Sequence, residues 1–135
     1  MTVGLVDVRV LVVEDDEPLL GLACAILRGA GYDVIPASNA TEALDRLDDP
    51  GLIDCLFTDV VLPDLSGIDL ASAFTAARPD LPVVFTTGQS DAAIHDRIQA
   101  SGHPLLLKPY TADRLCDIVH HAHAPTDLDP GQGRA

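Results

Sequence analysis

An aspartate closes the apolar run Leu56-Phe57-Thr58-Asp59, just ahead of Val60, Val61, Leu62 and Pro63. A carboxylate in that place leaves a buried segment as the chain reaches solvent. Three other apolar runs also end in reactive groups. The run ending at Val13 leads into Glu14, Asp15 and Asp16. Another ends in Thr86, Thr87 and Gly88, and a third leads into Lys108 and Pro109. Carboxylates suit a hard divalent cation, and a carboxylate can act as a nucleophile. A cation and an amine together neutralise a transferring phosphoryl group. Asp59 beside Glu14 and Asp15 would also place like charges together, which is costly without a cation. Each residue alone has an ordinary explanation. Acids after a strand favour a helix N-terminus, as Asp16 before Pro18 does. Aspartate ends turns, threonine builds strands, and a lysine can simply lie on the surface. The ordinary explanations do not account for all of them recurring at the ends of four of the five predicted strands.

The elements that must position these groups alternate. Val8–Val13, Tyr32–Ala37, Ile53–Thr58, Val83–Thr86 and Leu105–Leu107 are predicted strands. Helical spacing recurs between them. Leu19, Leu20, Ala23, Ile26, Leu27 and Ala30 mark a first helix that Gly29 and Gly31 help stop. Asn39, with Glu42 three residues on, caps a second helix whose inward face is Ala40, Ala43, Leu44 and Leu47; Asp49, Pro50 and Gly51 end it. Pro63, Asp64, Ser66 and Gly67 read as a loop before a third helix marked by Leu70, Phe74 and Ala77. A fourth helix runs from about Asp91 to Ala100, with Ser101 and Gly102 as breakers. Leu115, Ile118, Val119 and Ala122 give the last. Continuous apolar strands imply a sheet covered on both faces. Right-handed crossovers then give a doubly wound parallel α/β sheet, with every strand C-terminus on the edge where such folds bind ligands.

Composition narrows the function. At 135 residues the chain is of single-domain size. Residues 1–7 read as an extension, 8–124 as the domain and 125–135 as a disordered tail. Hydrophobic residues at 47% and charged residues at 21% fit a folded globule. The net charge of −13, with no basic stripe, disfavours nucleic acid as a partner. No stretch has the length and composition of a membrane span or a signal peptide. Cys24, Cys55 and Cys116 are dispersed and read as reduced thiols of a cytoplasmic protein. His120, His121 and His123 read as helix C-terminal residues favoured by the dipole, not as a metal site.

The ordered set Val10–Glu17 (VLVVEDDE), Thr58–Gly67 (TDVVLPDLSG), Val84–Gly88 (VFTTG) and Leu107–Tyr110 (LKPY) resembles the receiver domains of two-component response regulators. The resemblance covers about Val8 to His123. It implies a flavodoxin-like (βα)5 sandwich with strand order 2-1-3-4-5. It makes Asp59 the phosphoacceptor, Asp15 the direct Mg²⁺ ligand and Glu14 a ligand through water, with Asp59 and the Val61 backbone carbonyl completing the set; Mn²⁺ could substitute. Thr87 matches the switch hydroxyl and Lys108 the phosphoryl-binding lysine. Pro63 and Gly67 match the loop after the acceptor, Gly88 follows the threonine, and Pro109 matches a proline often preceded by a cis bond. Leu105 stands where the family usually carries Tyr or Phe, so the aromatic part of the switch is missing.

The expected partners are a histidine kinase or histidine phosphotransfer protein and a downstream protein on the face of helix 4, strand 5 and helix 5. With no output-domain sequence after the last helix, the expectation is a stand-alone receiver or one cut from a hybrid kinase. The chain is expected to catalyse only its own phosphorylation and dephosphorylation, not to be a turnover enzyme. A haloacid-dehalogenase-type phosphohydrolase also uses a strand-end aspartate, but needs a second one two residues on, where this chain has Val61. The other alternative is a pseudo-receiver acting as an unphosphorylated interaction module.

Overall fold

The computed structural model describes residues 8–48, 53–88 and 92–124. Five strands, β1 (Arg9–Val13), β2 (Asp33–Ala37), β3 (Cys55–Asp59), β4 (Val83–Thr87) and β5 (Leu105–Leu107), form one parallel sheet in the order β2-β1-β3-β4-β5. The helices between and after them are α1 (Glu17–Gly29), α2 (Ala40–Leu44), α3 (Gly67–Ala77), α4 (Ala92–Ser101) and α5 (Ala112–His123). The architecture is the doubly wound flavodoxin-like sandwich that the sequence predicts.

Alternation along the strands builds two cores. Leu11, Val13, Leu56 and Phe85 point to one face, where Ala40 and Ala43 of α2, Phe74 of α3 and Ile98 of α4 cover them. Val10, Val12, Phe57, Val84 and Leu106 point to the other, against Ala23, Cys24 and Leu27 of α1 and Leu115 and Val119 of α5. β3 and β4 are buried throughout, so their ends are held by packing on both faces. β2 carries Pro36 without penalty because it is an edge strand.

Several boundaries differ from the sequence reading. β1 and β2 each begin one residue later than predicted. The second helix is not continuous to Leu47: α2 ends at Leu44 and a 3₁₀ helix follows over Asp45–Asp48. Asp45 and Asp48 are poor helix formers and put negative charge at the helix's negative end. Gly29 is helical, and the reversal falls to Gly31, at φ 102°. Gly67 belongs to α3, with Ser66 as its N-cap. Ser101 is helical, and Gly102, at φ 79°, ends α4. The predicted segments 1–7, 125–135, the helix-ending Asp49-Pro50-Gly51 and the helix start at Asp91 lie outside the described residues.

Candidate functional site

The sheet order puts β1, β3 and β4 side by side, and β5 beside β4. Their C-terminal residues therefore converge on one cleft of about 590 Å³, lined by Glu14, Asp15, Asp16, Leu19, Asp59, Val61, Thr87, Gly88 and Lys108. Lys108 Nζ lies 2.7 Å from Glu14 Oε1 and 2.7 Å from Asp59 Oδ2. The Val61 amide donates to Asp59 Oδ1 at 3.0 Å, and the Asp16 amide to Glu14 Oε2 at 3.2 Å. Glu14 and Asp59 are only 4% and 5% exposed, whereas Asp15 faces solvent. Carboxylate oxygens of Glu14, Asp15 and Asp59 lie within 4.8 Å of one another, the one group of this kind among the described residues. Three carboxylates against one ammonium leave two negative charges, and the donors are all hard oxygens. That set fits a divalent cation such as Mg²⁺.

Burial raises the Glu14 pKa; bonds from Lys108 and the Asp16 amide oppose this, and the Asp59 charge adds to it. Burial pulls Lys108 down, but its bonds to Asp59 and Glu14 and their charges outweigh that and leave it raised. A group whose folded pKa is raised binds its proton more tightly in the folded state. Its stabilising contribution is complete below the unfolded pKa and is lost as pH climbs through the folded one. Glu14 is therefore expected to erode stability as pH rises from about 4.5. Urea unfolding of metal-free protein across that range should show the loss, and Glu14→Gln should remove it. An unchanged pH slope in Glu14→Gln would assign the effect elsewhere.

The other predicted residues fall in distinct places. Thr87 is fully buried at the end of β4, and its carbonyl accepts from the Lys108 amide at 3.0 Å. Thr86 turns inward and bonds the Leu106 carbonyl at 2.7 Å. Gly88 lines the cleft, where an added Cβ would make only ordinary contact with Lys108. The Lys108–Pro109 bond is cis. Pro63 is exposed on the loop after β3. Leu105 is outside the cleft, partly buried against the first core. Gly67 packs directly behind Asp59, and its amide donates to the Val60 carbonyl at 2.8 Å.

Asp16 has two places: it caps α1 through the Leu19 amide and also lines the cleft. The sequence reading took Leu19 only as part of a helical face, although its position one turn past Asp15 could have placed it at the rim. The histidines lie at the far end of α5, where His123 Nε2 sits 2.9 Å from the Tyr32 hydroxyl ahead of β2. The thiols are not activated: burial pushes Cys55 up to about 12 and also raises Cys24 and Cys116.

Fold and cleft together define a doubly wound α/β protein with an acid–lysine cluster at the carboxyl edge of its sheet. The sequence matches the response regulator receiver domain over residues 10–120, and the chain belongs to that family of two-component signalling proteins. It is 34% identical over 113 residues to the response regulator receiver protein CpdR of Brucella abortus, covering 83% of this chain and 91% of that one. It is 33% identical over 129 residues to the two-component response regulator-like protein PRR73 of Oryza sativa, covering 93% of this chain but 17% of that longer one. Among solved structures, a response regulator receiver domain from Clostridium thermocellum matches with a TM-score of 0.82 and 28% identity, over 90% of this chain and 98% of that one. The non-phosphorylated HemR receiver domain of Leptospira biflexa matches with a TM-score of 0.79 and 30% identity, over 89% and 97%. No described helix is long and apolar enough to cross a membrane.

Proposed function

We propose that this chain is a phosphoacceptor that takes a phosphoryl group onto Asp59 from a histidine kinase or histidine phosphotransfer protein. The observation that carries the reading is the buried Asp59 carboxylate, with Lys108 Nζ at 2.7 Å and the exposed Asp15 beside it. An Asp59 oxygen attacks phosphorus, a P–O bond forms, and the P–N bond of the phosphohistidine breaks. The electron pair leaves on the imidazole nitrogen. Lys108 already spans Glu14 and Asp59, so its ammonium is held where the transferred oxygens arrive. Mg²⁺ bound to Asp15, Asp59 and the Val61 carbonyl, with Glu14 acting through water, would neutralise charge on those oxygens; Mn²⁺ offers the same chemistry. Thr87 donates its hydroxyl to a phosphoryl oxygen after transfer. The resulting shift is read on the α4, β5 and α5 face, with Leu105 serving as packing and not as an aromatic reporter.

The test is intact-mass measurement after incubation with Mg²⁺ and a small phosphodonor, followed by peptide mapping. One phosphoryl group on Asp59, lost when a chelator removes the cation beforehand, is the expected result. No gain with any donor would favour a pseudo-receiver and overturn the proposal. Steady turnover of a phosphate ester would favour a hydrolase.

A further inference from the structure

The loop between β3 and α3 carries a tie that the acceptor chemistry does not use. Asp64 lies exposed on this loop, and its carboxylate reaches the first turn of α2. Oδ1 accepts from the Ala40 amide at 3.0 Å, and Oδ2 accepts from the Thr41 amide at 2.9 Å and the Thr41 hydroxyl at 2.6 Å. Asn39, the N-cap, satisfies the Glu42 amide. Two of the orphan amides of α2 are thus met by a residue from another part of the chain. The Thr41 hydroxyl bond, then the Ala40 amide bond, hold the Asp64 carboxyl down at about 2. It stays ionised at any pH near neutral.

The same loop presents backbone to the acceptor. Its start is fixed by the Val60 amide on the Thr86 carbonyl at 2.9 Å and the Val61 amide on Asp59 Oδ1 at 3.0 Å. Its end is fixed where the Gly67 amide meets the Val60 carbonyl at 2.8 Å. Asp64 anchors the stretch between them to a different element. Without that anchor the stretch from Leu62 to Ser66 loses its tie to α2, and Val61 is held only by its own amide bond to Asp59 Oδ1. Mg²⁺ demands near-ideal geometry, so loosening one donor is felt in affinity.

We propose that Asp64 is a positioning residue for the acceptor site, fixing against α2 the loop that carries the Val61 backbone beside Asp59. It acts through that backbone and touches neither the acceptor nor the cation. This rests on the reading of Asp15, Asp59 and Val61 as the cation-binding phosphoacceptor site.

The test is Mg²⁺ titration calorimetry on wild type, Asp64→Ala, Thr41→Val and the double variant, with amide exchange of Val61 followed by NMR. Removing an outer support of a metal site typically weakens binding by tens of fold. For this exposed support about tenfold weaker binding is expected in Asp64→Ala, with less in Thr41→Val. The double variant should bind no more weakly than Asp64→Ala, because both changes cut one tie. Val61 exchange should quicken in Asp64→Ala. A role confined to capping α2 would lower the thermal midpoint yet leave the Mg²⁺ Kd and Val61 exchange of the folded protein unchanged; that result, or additive losses, would overturn the proposal. Wild type that binds no Mg²⁺ would instead sink the acceptor-site reading, and Val61 exchange alone would then decide the role of Asp64.

Discussion

Asp59→Asn is expected to abolish phosphoryl uptake completely while leaving the fold as stable as wild type to within about 1 kcal/mol. The chemistry allows no partial result, because a neutral amide oxygen is not a competent nucleophile toward phosphorus. The stability argument is a near-cancellation. Asn keeps the size of the side chain and an oxygen for the Val61 amide, now held by Asp59 Oδ1 at 3.0 Å. It loses the charge-assisted bond to Lys108, a class worth about 1.5–3 kcal/mol. Against that, the Asp59 charge contributes to raising the Glu14 pKa, so its removal relieves repulsion between two buried carboxylates. Lys108 retains Glu14 at 2.7 Å, so no buried charge is orphaned. Intact mass after phosphodonor treatment and urea midpoints check the two halves separately. Phosphoryl gain in Asp59→Asn would move the acceptor to another residue. A folded state that collapses would mean the carboxylate is a structural group first.

That these residues would cluster was legible in the sequence because the logic is topological. A parallel sheet brings every strand end to one edge, so Glu14, Asp15, Asp59, Thr87 and Lys108 needed only to follow or close the strands β1, β3, β4 and β5, which are neighbours in the sheet, to meet in one cleft. The sheet was legible for a related reason: strands buried on both faces lose the alternation of polar residues and become plain apolar runs. What escaped the sequence depends on partners distant along the chain. Asp64 looked like an ordinary turn residue, since its partners Ala40 and Thr41 lie more than twenty positions earlier and carry no sign of the contact. The early end of α2 escaped because Leu47 keeps helical spacing and packs on the core even from a 3₁₀ turn. Gly67 was read as a loop residue, and nothing in its neighbours shows how near it lies to Asp59.

That nearness gives the second large expected effect: Gly67→Ala should cost about 3 kcal/mol or more and impair phosphoryl uptake in whatever remains folded. Propensity alone points the other way, because alanine in a helix is favoured over glycine by about 1 kcal/mol. Gly67 is not among the glycines at positive φ, so backbone freedom is not the reason for it. The reason is space. A Cβ on Gly67 would sit 2.0 Å from the Asp59 carbonyl oxygen, 2.9 Å from its carbon and 3.0 Å from the Val60 Cα. All three are backbone atoms at the end of a fully buried strand, which cannot rotate aside as a flexible side chain does. Relief requires either α3 to lift from the sheet, exposing Ile68, Leu70 and Phe74, or the Asp59 backbone to shift and carry the carboxylate away from Lys108. The first lowers stability and the second lowers phosphoryl transfer; a 2.0 Å approach between two packed backbones is relieved by a share of each, so both readouts should fall. Gly21→Ala is the control: it lies within α1 with nothing within 4 Å of the added Cβ, so it should stabilise by about 0.5–1 kcal/mol. Urea midpoints for the two variants, with intact-mass gain compared at equal folded fraction, separate steric approach from helix propensity. A Gly67→Ala midpoint that rises along with that of Gly21→Ala would show that the loop behind Asp59 has slack, and that glycine is there for some reason other than contact.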